Sequence, residues 1–208
     1  MKNIAIELKG ITKRFGSVVA NSNVNLSVYN GEILSLLGEN GSGKTTLLKA
    51  LTEIRSEVEI AMIPTRIPKI KGFTLNEFIN LSCYNKQNAD SDKALKKLAL
   101  SHLADRDIST LSDGEFQKGT IAAAIAKGAE IILMDEPTAF LDTENRRNVL
   151  STLRKLCEET GTAVIFSSHD LYEALETCNK VIALGADRQC HISSENLKDT
   201  ISAIFSKD

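Results

Sequence analysis

Eight consecutive residues constrain this chain more than any others: Gly38-Glu39-Asn40-Gly41-Ser42-Gly43-Lys44-Thr45 fills every fixed position of the glycine-rich phosphate-binding pattern. Such a turn works only between a buried strand and a helix, because its consecutive backbone N–H groups must wrap a phosphate at the helix N-terminus. The flanks fit. Residues 32–37 (Glu-Ile-Leu-Ser-Leu-Leu) form an apolar run suited to a parallel strand covered on both faces, and residues 45–51 carry helical spacing. The pattern places Lys44 on the β/γ-phosphates of a nucleotide and the Thr45 hydroxyl on Mg²⁺.

With 208 residues there is room for one well-buried domain with a subdomain, and too few for two. Lys plus Arg number 25 against 27 Asp plus Glu, a balance that argues against a nucleic-acid partner, since a phosphate backbone calls for a basic surface. No stretch of about 18 apolar residues exists to span a bilayer. The N-terminus alternates and is charged too early for a signal peptide, so it reads as a first strand. The four cysteines lack Cys-x-x-Cys spacing and read as reduced, mostly buried thiols, and Cys190 beside His191 lacks a second ligand pair.

Strands are expected over 4–8 and 18–28, with a turn at Tyr29-Asn30-Gly31, then over 58–63, closed by Pro64. From about 70 to 110 the chain turns polar, with helical patterns over 75–83 and 92–100 and no buried-strand run, which predicts a helical insertion. The α/β alternation resumes with helices over 115–127, 143–159 and 171–177, strands over 131–134, 163–167 and 180–184, and a closing helix over 195–205. This order predicts a mostly parallel sheet covered by helices on both faces.

Two further constellations carry chemistry. The apolar strand Ile131-Ile132-Leu133-Met134 delivers Asp135 and Glu136 to the sheet edge beside the phosphate loop. There Asp135 can hold Mg²⁺ through water, and Glu136 can orient and deprotonate an attacking water. Leu111-Ser112-Asp113-Gly114-Glu115 opens a helix, where the serine can cap and the helix end can attract an anion.

The order of these motifs, with Leu141-Asp142 and Ser168-His169-Asp170 after them, resembles the ATPase subunits of ABC transporters over about residues 3–185. The resemblance implies an α/β P-loop NTPase fold, the whole of 1–208 as a single ABC ATPase domain, and a helical subdomain at about 70–115. It implies ATP bound by Phe15, Gly38, Glu39, Asn40, Gly41, Ser42, Gly43, Lys44, Thr45 and Thr46. Ser112 and Gly114 would serve the γ-phosphate of the opposite protomer. Mg²⁺ would sit at Thr45 and Asp135, with Glu136 as catalytic base and His169 on the γ-phosphate and the water. The expected partners are a second ATPase domain, a further copy of this chain, and a separate transmembrane permease at the cytoplasmic face of the cell membrane, reached near residues 71–78.

The chain departs from the pattern in three places. Thr65 stands where a glutamine is usual; the resemblance implies that this side chain bridges the Mg²⁺ and water site to the helical insertion, and threonine is too short to span that gap directly. Twenty residues separate Lys44 from Thr65, which implies a shortened N-terminal antiparallel β layer. Asp113 and Glu115 replace the commoner glycine and glutamine, and both side chains are expected to point away from the phosphate. These substitutions, with Thr138-Ala139-Phe140 and Leu171, resemble importers of iron chelates, haem or cobalamin. A nucleotide-gated module with little hydrolysis and a soluble ABC ATPase outside transport are the alternatives.

Overall fold

The structure is a computed structural model that describes residues 3–15, 18–53, 58–84, 86, 89–184 and 190–193, the side chains of 15, 18, 20 and 190–193 excepted. Strands β1 (Ile4–Phe15) and β2 (Val18–Tyr29) form an antiparallel hairpin, the short N-terminal layer anticipated from the spacing. Strands β3 (Ile33–Leu37), β4 (Ile60–Ile63), β5 (Ile131–Met134), β6 (Ala163–Ser168), β7 (Lys180–Leu184) and β8 (Cys190–Ser193) make one sheet in the order β4-β5-β6-β3-β7-β8. Its first five strands are parallel and β8 lies antiparallel on the edge.

Both faces of this sheet are buried, which is why its strands read as unbroken apolar runs. Leu34 and Leu36 of β3, Leu133 of β5 and Ile182 of β7 pack with Leu47, Leu48 and Leu51 of helix α1 (Lys44–Thr52) and with Leu8, Leu26 and Val28 of the hairpin. Alternate residues on the other face, among them Ile33, Ile132, Met134 and Phe166, meet the remaining helices. These are α2 (Leu75–Ser82), α3 (Ser91–Lys97), α4 (Asp113–Ala126), α5 (Thr143–Thr160) and α6 (Leu171–Thr177). Each such fully buried side chain is worth about 1.5–3 kcal/mol over its exposed state.

The insertion is helical as expected. Its helix α2 starts on a capping box, Thr74 accepting from the Glu77 N–H while Glu77 accepts from that of Thr74. Phe78 tilts against Phe116 of α4, ring centroids 5.4 Å apart, and Leu75, Ile79 and Leu95 close the cluster. Helix α3 stops at Lys97, three residues before the sequence pattern does. Ala99 adopts φ 56°, and the N–H groups of Ala99 and Leu100 return to the carbonyls of Lys96 and Leu95. This is a Schellman ending with alanine where glycine is usual, so the sequence carried no stop signal. The helix expected over 195–205 lies outside the described residues.

Candidate functional site

Strand β3 ends at Leu37 and α1 begins at Lys44, so residues 38–43 form the turn. Gly41 and Gly43 take φ 85° and 101°, left-handed values that L side chains resist. A Cβ on Gly38 would lie 2.5 Å from the Ser42 Oγ and 2.9 Å from the Leu184 carbonyl, so that position also needs glycine. Each of α2 to α6 has a side-chain cap: Thr74, Asp90, Ser112, Asp142 and Asp170. Helix α1 has none, its N-cap being Gly43. Its first N–H groups therefore face the turn without a side-chain acceptor, the arrangement an anion completes. The buried Ser42 Oγ likewise has no hydrogen-bond partner.

Lys44, buried at the same turn, donates from Nζ to the carbonyls of Gly38 (2.7 Å) and Glu39 (3.0 Å). Burial lowers its pKa, opposed by the charges of Glu136 and Asp135. A burial cost on the ammonium is one that an incoming phosphate would offset.

Asp135 stands at the carboxyl end of β5 and collects three hydroxyls. Thr45 Oγ1 lies 3.1 and 3.0 Å from its two oxygens, Ser167 Oγ 2.7 Å and Thr65 Oγ1 3.2 Å away. The end of β4 delivers the Thr65 hydroxyl straight to Asp135. Ser167 is the residue the sequence reading missed. It bonds Asp135 and accepts the Glu136 N–H at 2.9 Å; its signal was the polar Ser-Ser pair ending an otherwise apolar strand.

Glu136 adopts φ 45°, an unusual value for a glutamate, which turns the chain sharply after the strand. His169, just past β6, brings Nδ1 to 3.8 Å from the Glu136 Oε1. The histidine side chain is 65% exposed against 24% for the glutamate, so the pair faces solvent at the sheet edge that also carries Asp135. The topology thus gathers Gly38–Thr46, Asp135, Glu136 and His169 on one edge, because β3, β5 and β6 are parallel neighbours.

Ser112 and Gly114 lie apart from this group, at the start of α4. The sequence reading put Gly114 ahead of the helix; it lies within the first turn, because Ser112 and Glu115 form a capping box. Asp113 pairs with Lys69, at 2.6 Å. Glu115 folds back on the N-cap: its Oε2 accepts from the Ser112 N–H at 2.8 Å and from the Ser112 Oγ at 2.9 Å. These bonds, the backbone one first, hold the Glu115 pKa below its usual value. Phe15 ends β1, and its side chain lies outside the described residues.

A groove of about 570 Å³ separates the insertion from the sheet edge, lined by Arg66, Ile67, Lys69, Phe116, Pro137 and Phe140 among others. The Arg66 guanidinium lies 4.0 Å over the Phe140 ring at its mouth. No helix among the described residues is long and apolar enough to cross a membrane.

A family model described as ABC transporter matches residues 21–139. The ribose import ATP-binding protein RbsA of Caldanaerobacter subterraneus subsp. tengcongensis is 33% identical over 86% of the chain, which spans 42% of that protein. Among solved structures, an inward-facing transporter assigned to the metal-chelate type superposes with TM-score 0.86 at 26% identity, over 98% of this chain and 90% of the other. The ATP-binding cassette MJ0796, solved as a dimer bound to ADP and Pi in a post-hydrolysis state, gives TM-score 0.72 at 26% identity, over 90% and 97%. Motifs, sheet order and likeness agree: this chain belongs to the ABC transporter family, as one of its P-loop ATPases.

Proposed function

We propose that the chain binds MgATP at the 38–46 turn and hydrolyses it with Glu136 as base, powering transport through a separate membrane protein. The observation that carries this reading is the shared sheet edge: an uncapped helix N-terminus and a buried lysine on one side, Glu136 and His169 on the other. A carboxylate 3.8 Å from an exposed imidazole can take a proton from water while the imidazole meets the γ-phosphate.

The donor set suits Mg²⁺, since Thr45 and Asp135 offer hard oxygens side by side and the nucleotide would supply more. Bound there, the ion would neutralise charge that develops between the β- and γ-phosphates.

Two copies are needed in this reading. Ser112 opens α4, a helix packed on the insertion, and the dimeric MJ0796 cassette supports a paired arrangement. The permease would dock beside the insertion near 71–78, next to the 570 Å³ groove lined from 65–69, 113–120 and 136–141. That docking places the chain at the cytoplasmic face of the membrane. Import of a metal chelate is the cargo proposed, on the strength of Leu111-Ser112-Asp113-Gly114-Glu115 and the metal-chelate type neighbour.

Turnover of MgATP by wild type beside Glu136→Gln tests the assignment. Loss of general-base catalysis predicts a drop of about 100-fold or more. Equal rates would remove Glu136 from the chemistry.

A further inference from the structure

Glu173, on α6, is a carboxylate only 4% exposed that the proposed chemistry does not use. Burial pushes its pKa up, against the lowering by its hydrogen bonds and by Arg146. A charge kept in so poor a solvent needs partners, and its partners are instructive. Oε2 accepts from Thr138 Oγ1 at 3.0 Å and from Ser168 Oγ at 3.1 Å. Oε1 lies 3.2 Å from the Arg146 Nε, an ion pair without the alignment of a hydrogen bond. Arg146 reaches Asp170 Oδ2 at 3.2 Å and the Leu141 carbonyl at 3.5 Å, and Ser168 Oγ accepts the Asp170 N–H at 2.9 Å.

Both hydroxyl partners adjoin a candidate site residue, and Arg146 comes from α5. Thr138 lies two residues after Glu136, Ser168 directly precedes His169, and Leu141 precedes Asp142, the N-cap of α5. A polar cavity of about 30 Å³ is walled by both groups: Glu136, Thr138, Arg146, Ser168, His169 and Glu173 among others. Glu173 is thus one wall away from both reacting groups. The left-handed turn at Glu136 has its N–H fixed by Ser167 and its exit fixed by Thr138.

We propose that Glu173 is a positioning residue for hydrolysis: with Arg146 it clamps the Glu136 turn to the His169 turn, setting the separation of base and imidazole. This rests on the assignment of Glu136 as base, and concerns alignment rather than nucleotide binding, because no atom of the cluster belongs to the 38–46 turn.

The test measures kcat and KM for MgATP, with melting midpoints and the folded fraction from ATP-binding stoichiometry, on the purified full chain. The proteins are wild type, Glu173→Gln, Glu173→Ala and Glu136→Gln. Glu173→Gln keeps volume and an acceptor oxygen but loses the charge that holds Arg146. Misalignment of this order predicts kcat about tenfold lower per folded site with KM unchanged within about twofold, and a larger loss for Glu173→Ala. Should the Glu173 variants not fold, Thr138→Val and Ser168→Ala each remove one donor to the same carboxylate and carry the same expectation. Folded variants with wild-type kcat, or with KM rising as kcat falls, overturn the clamp. If Glu136→Gln is inactive while Glu173→Gln is normal, only this inference fails; if Glu136→Gln turns over like wild type, the functional reading fails and takes the clamp with it.

Discussion

Replacing Gly114 by alanine should loosen the junction between α4 and α5 by an amount the geometry lets us work out. A Cβ at 114 would stand 2.3 Å from the Asn145 Oδ1, 2.7 Å from its Cγ and 3.0 Å from its Cβ. Rotation of Asn145 relieves the first two contacts but breaks its 2.8 Å bond from Nδ2 to Asp142 Oδ2, costing about 0.5–1.5 kcal/mol. Rotation cannot move the Asn145 Cβ, so the helices must part by a few tenths of an ångström, at about 1–3 kcal/mol. Alanine returns about 0.5–1 kcal/mol through its helix propensity. The net loss is about 0.5–4 kcal/mol, read as a lower urea midpoint at constant slope. Asn145→Ala removes the two nearest contacts and the bond to Asp142 but keeps the Cβ, so in that background Gly114→Ala should cost less by about 0.5–1.5 kcal/mol. A Gly114→Ala protein as stable as wild type, or one equally destabilised in both backgrounds, would refute the close-approach argument.

Burial raises the Cys157 thiol from 9.0 to about 12 and raises Cys178 as well. A raised folded pKa contributes stability that is whole below about pH 9 and is lost as pH climbs toward 12, at about 1.4 kcal/mol per unit for Cys157. Urea midpoints from pH 7 to 10.5 should therefore fall less steeply in Cys157→Ala than in wild type; parallel curves would contradict the burial. Phe166, fully buried in the central sheet, should cost about 3–5 kcal/mol on change to alanine, measured by denaturant unfolding. Thr65→Val removes one of three hydroxyls from Asp135 and should lower stability by about 0.5–1.5 kcal/mol, with a modest rise in KM for MgATP. A variant indistinguishable in both would show that the Thr65 contact contributes nothing.

The sheet was legible because its strands are buried on both faces, and apolar runs such as 131–134 admit few other readings. The edge residues were legible for the same reason: a strand's end fixes where Asp135, Glu136 and His169 emerge. What the sequence withheld depends on groups meeting across the chain. Thr65 reaching Asp135 turns on the β4–β5 register, in which Ile63 faces Met134. The fold-back of Glu115 was legible in principle, since Ser-x-x-Glu before a helix is a capping signature; its phosphate-side position drew attention to charge instead of local bonding. The alanine stop of α3 had no signal, because left-handed alanine is set by packing rather than by propensity.

The central claim is that one triphosphate is shared between the uncapped α1 end of one copy and the Ser112-led α4 end of another. Light scattering on Glu136→Gln, with and without MgATP, tests it most directly. The account predicts a monomer mass without nucleotide and a doubled mass with it, abolished by Ser112→Arg, a change outside the 38–46 turn. A protein that binds MgATP stoichiometrically yet keeps the monomer mass would contradict it.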